Sequence, residues 1–265
     1  MRYCTVLVIA VVLLLCSSCA YWWEVRAYEK AYGTNAPVPE MIAVRTEKPI
    51  FLDGKLDEEV WKNAPVYLFV RPQAPPKRKI DSKFSMEWKI FQRGAVRLAY
   101  TSDTLYLAIS VEDSDIVQYN QKDQQRHFNS GDLLEIMVKS DLAPSFWECY
   151  GTPSGHRTTI RHIARGYCHD ILADFRDEFQ IGVHLDGTLN NYHDTDRGYT
   201  MEVAMPFAML QSLNGIPVNN ENQWKIFVAR YNFDFNQSYR QLSCFPMMPV
   251  TKFEAYEYFA PIIFR

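Results

Sequence analysis

Residues 94–111 read GAVRLAYTSDTLYLAISV, and this stretch decides the fold. Apolar side chains alternate along its second half, where Leu105, Leu107 and Ile109 fall on one face of an extended chain. The triplet Thr-Ser-Asp at residues 101–103 separates two apolar runs and is typical of a short hairpin loop. The stretch therefore predicts two antiparallel strands joined by a tight turn.

Segments of the same kind recur along the rest of the chain, with turn residues between them. Apolar runs predict further strands over residues 84–91, 133–138, 146–150, 157–163, 179–185, 199–205, 224–233 and 258–264. Helical patterns are too few for repeated strand–helix–strand units. The sequence therefore predicts an all-β fold, an antiparallel β-sandwich of jelly-roll type with one or two short helices.

Two tryptophans occupy positions that are typical of core residues. Trp61 lies on the apolar stripe of a short helix predicted over residues 55–63, and Trp224 begins a predicted buried strand. A second helix of one or two turns is predicted over residues 207–213. We expect both tryptophans to be buried core residues.

The charge balance of the chain excludes one class of partner. Lysine and arginine number 28 and aspartate and glutamate 31, which gives a net charge of -3. Nucleic-acid binders usually carry an excess of positive charge on one surface, so no nucleic-acid partner is expected. Aromatic residues make up 14% of the chain, and this content suits half-buried strand surfaces.

The first residues are predicted to direct export. An apolar run over residues 5–15 follows Arg2 and is shorter than the about 20 residues that span a bilayer. The small residues after it resemble a bacterial lipoprotein signal, in which Cys19 is lipidated after cleavage. The alternative is an uncleaved anchor helix that continues through Trp23. Both interpretations predict an exported protein, anchored to the bacterial cell membrane or outer membrane.

Three segments follow from these patterns. Residues 1–19 are predicted as the signal peptide, and residues 20–44 as a tether. Pro37 and Pro39 prevent a helix from continuing through the tether. Residues 45–265 are predicted to form one β-sandwich domain.

Seven short motifs occur in order along this domain. They are residues 50–61 (IFLDGKLDEEVW), 96–113, 131–136 (GDLLEI), 148–155, 194–207, 224–230 (WKIFVAR) and 258–264 (YFAPIIF). Together they resemble the family 9-like carbohydrate-binding modules, which are DOMON-like β-sandwiches. The resemblance implies a non-catalytic domain that binds oligo- or polysaccharide and supports its capture or degradation beside glycoside hydrolases. It also implies structural calcium, and related sandwiches bind haem.

A sugar site combines aromatic faces with planar polar groups, because a pyranose has an apolar face and a rim of hydroxyls. Trp147, Glu148 and Tyr150 lie in one predicted strand, and Arg161 lies in the strand paired with it. Alternation places Trp147 on the face opposite to Glu148 and Tyr150. The functional interpretation is a polar floor of Glu148 and Arg161 with an aromatic wall. The alternative is a cross-strand ion pair beside core aromatics.

Glu135 and Arg230 are two further candidates for binding sugar hydroxyls. Both lie among apolar residues of predicted strands, where an unpaired charge is costly. The alternative for Glu135 is a solvent-facing position, or an ion pair with Arg97 or Arg230. Arg230 is either a ligand donor or a structural partner of Glu135 or Glu202.

Two other functions remain open from the residues. A haem-binding electron-transfer subunit needs an axial ligand, for which Met137, Met201 and Met205 are candidates. A glycoside hydrolase needs two carboxylates about 5–10 Å apart, and Glu135 and Glu148 are conceivable. Neither a zinc-protease motif nor a serine nucleophile elbow is present, so we expect a protein that is not an enzyme.

Acidic loops and cysteines give two structural hypotheses. Asp113, Asp115 and the loop over residues 186–196 offer oxygen atoms for a structural calcium, or else form solvated turns. Three cysteines lie beyond the signal, so at most one pair forms. Cys149 and Cys168 are the closest candidates for a disulfide, and the alternative is that all three thiols are free and buried.

Overall fold

The computed structural model describes residues 38–72, 92–171, 178–235, 240–248 and 253–265, with the side chains of residues 167–171 excepted. The predicted signal with Cys19, most of the tether and the strand predicted over residues 84–91 lie outside the described residues.

The described residues form short strands and two short helices. The strands are β1 Met41–Arg45, β2 Tyr67–Leu68, β3 Gly94–Tyr100, β4 Thr104–Glu112, β5 Leu133–Ser140, β6 Phe146–Gly151, β7 Arg157–Ala164, β8 Tyr167–Ile171, β9 Gln180–Asp186, β10 Gly198–Pro206, β11 Trp224–Asn232, β12 Gln241–Phe245 and β13 Ala260–Phe264. The helices are α1 Glu59–Asn63 and α2 Phe207–Ser212. The predicted all-β sandwich with one or two short helices is confirmed.

One sheet path runs through the molecule in the order β8-β7-β6-β5-β11-β13-β1-β3-β4-β10-β9, with β12 on β11 and β2 on β3. β1 pairs in parallel with β13 and with β3, and the other described pairs are antiparallel. We call β1–β4, β9 and β10 the first half, and β5–β8 and β11–β13 the second half. The two halves pack face to face around the main core.

The hairpin predicted from residues 94–111 is present as β3 and β4. Val96 pairs with Ile109 and Leu98 with Leu107, and all four side chains are fully buried between the halves. Full burial of one such side chain contributes about 1.5–3 kcal/mol, so this hairpin supplies much of the first half's share of the core.

The second half buries side chains on both of its faces. Its inner face contributes Trp147 and Trp224 to the core between the halves. Its outer face carries Met137 and Phe227, which pack under residues 253–259 near the end of the chain. β5 and β6 are buried along their whole length, so the outer face of this half is covered rather than fully exposed to water.

Trp61 is buried against the first half, as predicted, and a carboxylate holds it there. The ring is 3% exposed, and its Nε1 donates to Glu202 Oε1 at 2.9 Å. Glu202 Oε2 accepts the backbone N–H groups of Asp53 at 3.1 Å and Gly54 at 2.9 Å. Glu202 is therefore occupied by these three donors, and the expected contact between Glu202 and Arg230 is wrong.

Three further findings bear on the predicted segments. β1 begins at Met41, inside the stretch predicted as tether, and Ile42 N–H donates to the Tyr67 hydroxyl at 2.7 Å. Cys149 and Cys244 are buried free thiols, so the disulfide predicted for Cys149 is wrong, while the side chain of Cys168 lies outside the description. No helix within the described ranges is both long and apolar enough to cross a membrane.

Candidate functional site

Five titratable side chains meet on the outer face of the second half, and four of them, Glu135, Glu148, Tyr150 and His162, are buried. The five come from four neighbouring strands and are Glu135, Glu148, Tyr150, His162 and Tyr231. The register explains the meeting, because Glu135 pairs with Tyr150, and Glu148 and His162 follow on the same face. We call these five residues the polar cluster.

Glu148 is the centre of the polar cluster. The Tyr150 hydroxyl donates to its Oε1, and His162 Nε2 lies 2.5 Å from its Oε2. Burial alone raises the pKa of a carboxyl group, but the hydrogen bonds from His162, Glu135 and Tyr150 outweigh burial and lower the pKa of Glu148. Glu148 is therefore an ionised carboxylate that is held in place by three donors.

Glu135 is the protonated member of the carboxyl pair. Burial, and then the neighbouring charge of Glu148, raise the pKa of Glu135 well above its usual value. Two carboxyl groups in contact cannot both ionise cheaply, so one proton is shared between them. Glu135 also lies within hydrogen-bonding reach of Tyr231, yet its Oε2 has no partner.

His162 contributes the second polar atom of the cluster that has no hydrogen-bond partner. Its ring stacks on Phe146 with centroids 4.2 Å apart and an angle of 8° between the planes. Nδ1 is buried without a hydrogen-bond partner. Buried polar atoms are almost always hydrogen-bonded, so the free atoms of Glu135 and His162 indicate a place where a polar ligand or water belongs.

Aromatic rings border the polar cluster. Phe128 and Tyr231 are half-buried, and Phe128 meets the Tyr150 ring edge-on with centroids 6.5 Å apart. Arg240 is exposed, lies 5.0 Å from the centre of the Tyr231 ring, and donates from Nη1 to the Phe128 carbonyl at 2.9 Å. The arrangement combines aromatic carbon with planar polar groups, as a sugar site requires.

Three of the six predicted site residues meet in this cluster, and the other three lie on the inner faces of their strands. Trp147 is fully buried in the core, so its ring offers no face to a ligand, and its predicted role as an aromatic wall is wrong. Arg161 pairs with Trp147 and shares its face, so it does not reach Glu148. The next residue, His162, takes the predicted place of Arg161.

Arg230 lies between the two halves instead of on the outer face. Its Nη2 donates to Asp113 Oδ2 at 2.9 Å, and both side chains are 1% exposed. Asn232 and Gln92 accept further hydrogen bonds from it. Arg230 is therefore a structural link between the halves, and its predicted role at the sugar site, like its predicted pairing with Glu135, is wrong.

Carboxylate oxygens of the acidic loops accept hydrogen bonds from backbone N–H groups. Asp115 Oδ2 accepts the N–H of Phe235 at 2.7 Å, and Asp196 accepts those of Ile116 at 2.8 Å and Thr188 at 2.7 Å. Among the residues that the structure describes, no group of three or more acidic, histidine or cysteine side chains is arranged to hold a metal ion. Structural calcium stays a prediction.

The methionines considered as haem ligands and the two glutamates considered for hydrolysis do not lie in surroundings of the kind that those functions require. Met201 and Met205 are fully buried in the core between the halves, and Met137 packs with aromatic rings on the outer face. All three methionines thus lie among tightly packed apolar side chains. Glu135 and Glu148 are in direct contact, whereas a hydrolase needs its carboxylates about 5–10 Å apart.

Sequence reasoning missed His162 and Tyr231. His162 could have been found from the register of the hairpin that includes the turn at residues 152–155, because that register places it beside Phe146 and Glu148. Tyr231 gave no such signal, since it lies on a strand whose residues are buried on both faces.

Comparisons with known proteins find the fold and no close relative. No protein-family model matches the chain, and no curated protein matches it in sequence. A protein from Bacteroides uniformis, described as a candidate carbohydrate-binding protein, aligns with a TM-score of 0.63 and 8% identity. The alignment covers 86% of this chain and 99% of that one.

A family 9 carbohydrate-binding module from Caldicellulosiruptor kristjanssonii, in complex with cellotriose, aligns with a TM-score of 0.58 at 14% identity. The alignment covers 85% of this chain and 93% of the module. A glucose complex of a family 9 module from the same organism aligns with a TM-score of 0.50, also at 14% identity, over 84% of this chain and 95% of that one. The chain therefore has the β-sandwich fold of the family 9 carbohydrate-binding modules.

Proposed function

We propose that this protein binds oligo- or polysaccharide at the polar cluster without altering it chemically. The observation that carries the proposal is the pair of buried polar atoms without a hydrogen-bond partner, Glu135 Oε2 and His162 Nδ1, in a cluster that the half-buried rings of Phe128 and Tyr231 border on one side. Sugar hydroxyls both donate and accept hydrogen bonds, so they complement such atoms. The likeness in fold to sugar-binding modules supports the same class of ligand.

The distribution of charge in the cluster favours binding over catalysis. Hydrogen bonds from His162, Glu135 and Tyr150 lower the pKa of Glu148, so its carboxylate is a weak base. Its role is to orient Glu135, Tyr150 and His162 in positions that do not change when a ligand arrives. Preorganised polar groups lower the entropy lost on binding.

We extend the proposal to the setting of the protein on the basis of its first residues. A lipid on Cys19, or an anchor helix in its place, holds the sandwich at an exported membrane surface. There it retains polysaccharide close to the glycoside hydrolases that degrade it.

The test is binding of the purified full chain to an array of plant, algal and bacterial glycans. We expect a specific set of glycans to be retained and none to be hydrolysed. Glu148→Gln should weaken retention about tenfold or more, since the amide cannot accept from all three donors and the cluster loses its order.

Arg161→Ala is the matched control, because Arg161 lies on the neighbouring strand but on its inner face. Equal retention by wild type and Glu148→Gln would place the sugar elsewhere. An array on which folded wild type retains nothing would refute the proposed function, and release of reducing sugar would refute the absence of catalysis.

A further inference from the structure

Two aromatic rings stack in solvent at one end of the sandwich. Tyr192 lies in the loop between β9 and β10, and Phe235 follows β11. The ring centroids are 4.4 Å apart, the planes are 13° from parallel, and the residues are 50% and 54% exposed. Large aromatic side chains usually bury their faces, so a stacked pair left in water, contributed by distant parts of the chain, indicates a contact surface.

The backbone beneath both rings is fixed. The N–H of Phe235 donates to Asp115 Oδ2, and the Tyr192 loop is fastened by Asp196, which accepts two backbone N–H groups. Asn190 adds a further link, because its side chain both accepts from and donates to the backbone of Gln118 at 2.8 and 3.0 Å. Rings on a fixed backbone lose little freedom when they bind, which suits them to stacking on a ligand.

Carboxylates surround the stacked rings and narrow the choice of ligand. Asp194 and Asp234 lie close enough to Asp115 to act on its charge, and Asp115 Oδ1 has no hydrogen-bond partner. Such a rim repels anionic partners and offers acceptors to neutral hydroxyl groups. Aromatic faces with carboxylate acceptors are the two components of a sugar-binding surface.

The stacked rings are within reach of the polar cluster. Phe235 follows Tyr231 of the cluster by four residues, so their Cα atoms are at most about 14 Å apart. We infer that Tyr192 and Phe235 form a second carbohydrate contact, which stacks on another unit of the neutral oligosaccharide bound at the polar cluster. This inference rests on the proposed function and adds that the ligand is a chain of several units.

The experiment compares the full chain with Tyr192→Ala/Phe235→Ala on an array that carries glucose, xylose, galactose and mannose as single sugars and as longer neutral chains, cellotriose included. Affinities for the retained sugars are then measured by calorimetry. The double variant should bind longer chains about tenfold more weakly and single sugars as well as wild type does. Phe51→Ala is the matched control, because Phe51 is 76% exposed and lies in the segment between β1 and α1.

Each of the other possible outcomes contradicts the second contact, the proposed function or both. Equal affinity of wild type and double variant for longer chains refutes the second contact and leaves the proposed function standing. An array on which wild type retains nothing refutes both. If instead the double variant changes sedimentation of the protein while sugar affinities stay constant, the stacked rings are a protein-contact surface and the inference is wrong.

Discussion

At the scale of single residues, buried charges in this protein are compensated individually. Arg230 pairs with Asp113 between the two halves. Lys139 is 3% exposed, and its Nζ donates to the Ser140 carbonyl at 2.7 Å. Glu148 accepts three donors. Burying a charge without such partners costs several kcal/mol, so the position of each partner is a condition for folding.

Asp113→Ala should destabilise the protein by about 3–5 kcal/mol, because it leaves Arg230 buried without its counter-charge. The measurement is the free energy of unfolding in urea. Glu47→Ala is the control, since it removes an exposed partner of Arg45 and should change stability by about 1 kcal/mol or less. Similar losses in the two variants would contradict the structural role given to Arg230.

At the scale of the elements, the alternation of side chains along the sequence predicted well where the strands lie. It predicted less well which side chains of neighbouring strands share a face. In β4 the sequence placed Leu107 and Ile109 on one face, and that face lies in the core. In β7 the predicted partner of Glu148 was Arg161, but the observed partner is His162. A shift of one residue transfers every side chain to the opposite face, and sequence alone does not fix the pairing of two strands.

Strands buried on both faces are the second reason why the site was only partly predictable. β6 is buried from Phe146 to Gly151, so apolar and polar residues do not separate its inner face from its outer face. Alternation correctly placed Trp147 and Glu148 on opposite faces, but it did not show which of the two faces lies in the core between the halves. The composition of the site was visible in the sequence, whereas its geometry depended on the packing of four strands.

The helix α1 gives a prediction at this scale. Five residues cannot form a stable helix alone, and Trp61 fixes α1 to the first half through Glu202. Glu202→Ala should cost about 2–4 kcal/mol in the free energy of unfolding, because it leaves three N–H donors without an acceptor.

Glu59→Ala is the control for the helix itself, because Glu59 lies on α1 and pairs only with exposed Lys62 in an ion pair. It should change stability by less than about 1 kcal/mol. A Glu202→Ala protein as stable as Glu59→Ala would mean that apolar contacts of Trp61 suffice to hold the helix.

At the scale of the whole molecule, several buried acids bind their protons more tightly when the protein is folded. Burial raises the pKa of Glu135 and of Asp132 well above their usual values, and raises that of Glu202 to about 7. The stability that such groups contribute is complete below their unfolded pKa and is lost as pH rises through the folded pKa. Glu148, whose pKa is lowered, contributes in the opposite sense and loses its contribution in acid.

Glu202 should therefore lower the stability of the protein as the pH rises from the ordinary glutamate pKa of 4.5 to about 7, and Glu135 and Asp132 should extend this loss to higher pH. We expect the melting temperature to fall as the pH rises from about 5 through about 7. Glu135→Gln should flatten this fall, because the amide still donates to Glu148 but cannot ionise. A melting temperature that rises steadily from pH 5 to about pH 9, or an equal fall in Glu135→Gln, would contradict this account.

The parallel pairing of β1 with β13 and β3 has a mechanical consequence. Residues before Met41 enter the fold through this strand, whose backbone is hydrogen-bonded on both sides, with Met41 paired to Ile262 and Ala43 paired to Leu98. A pull on the N-terminal segment acts along the strand and loads these bonds together in shear, so they must break at the same time. The sandwich should thus resist tension transmitted through its leading segment.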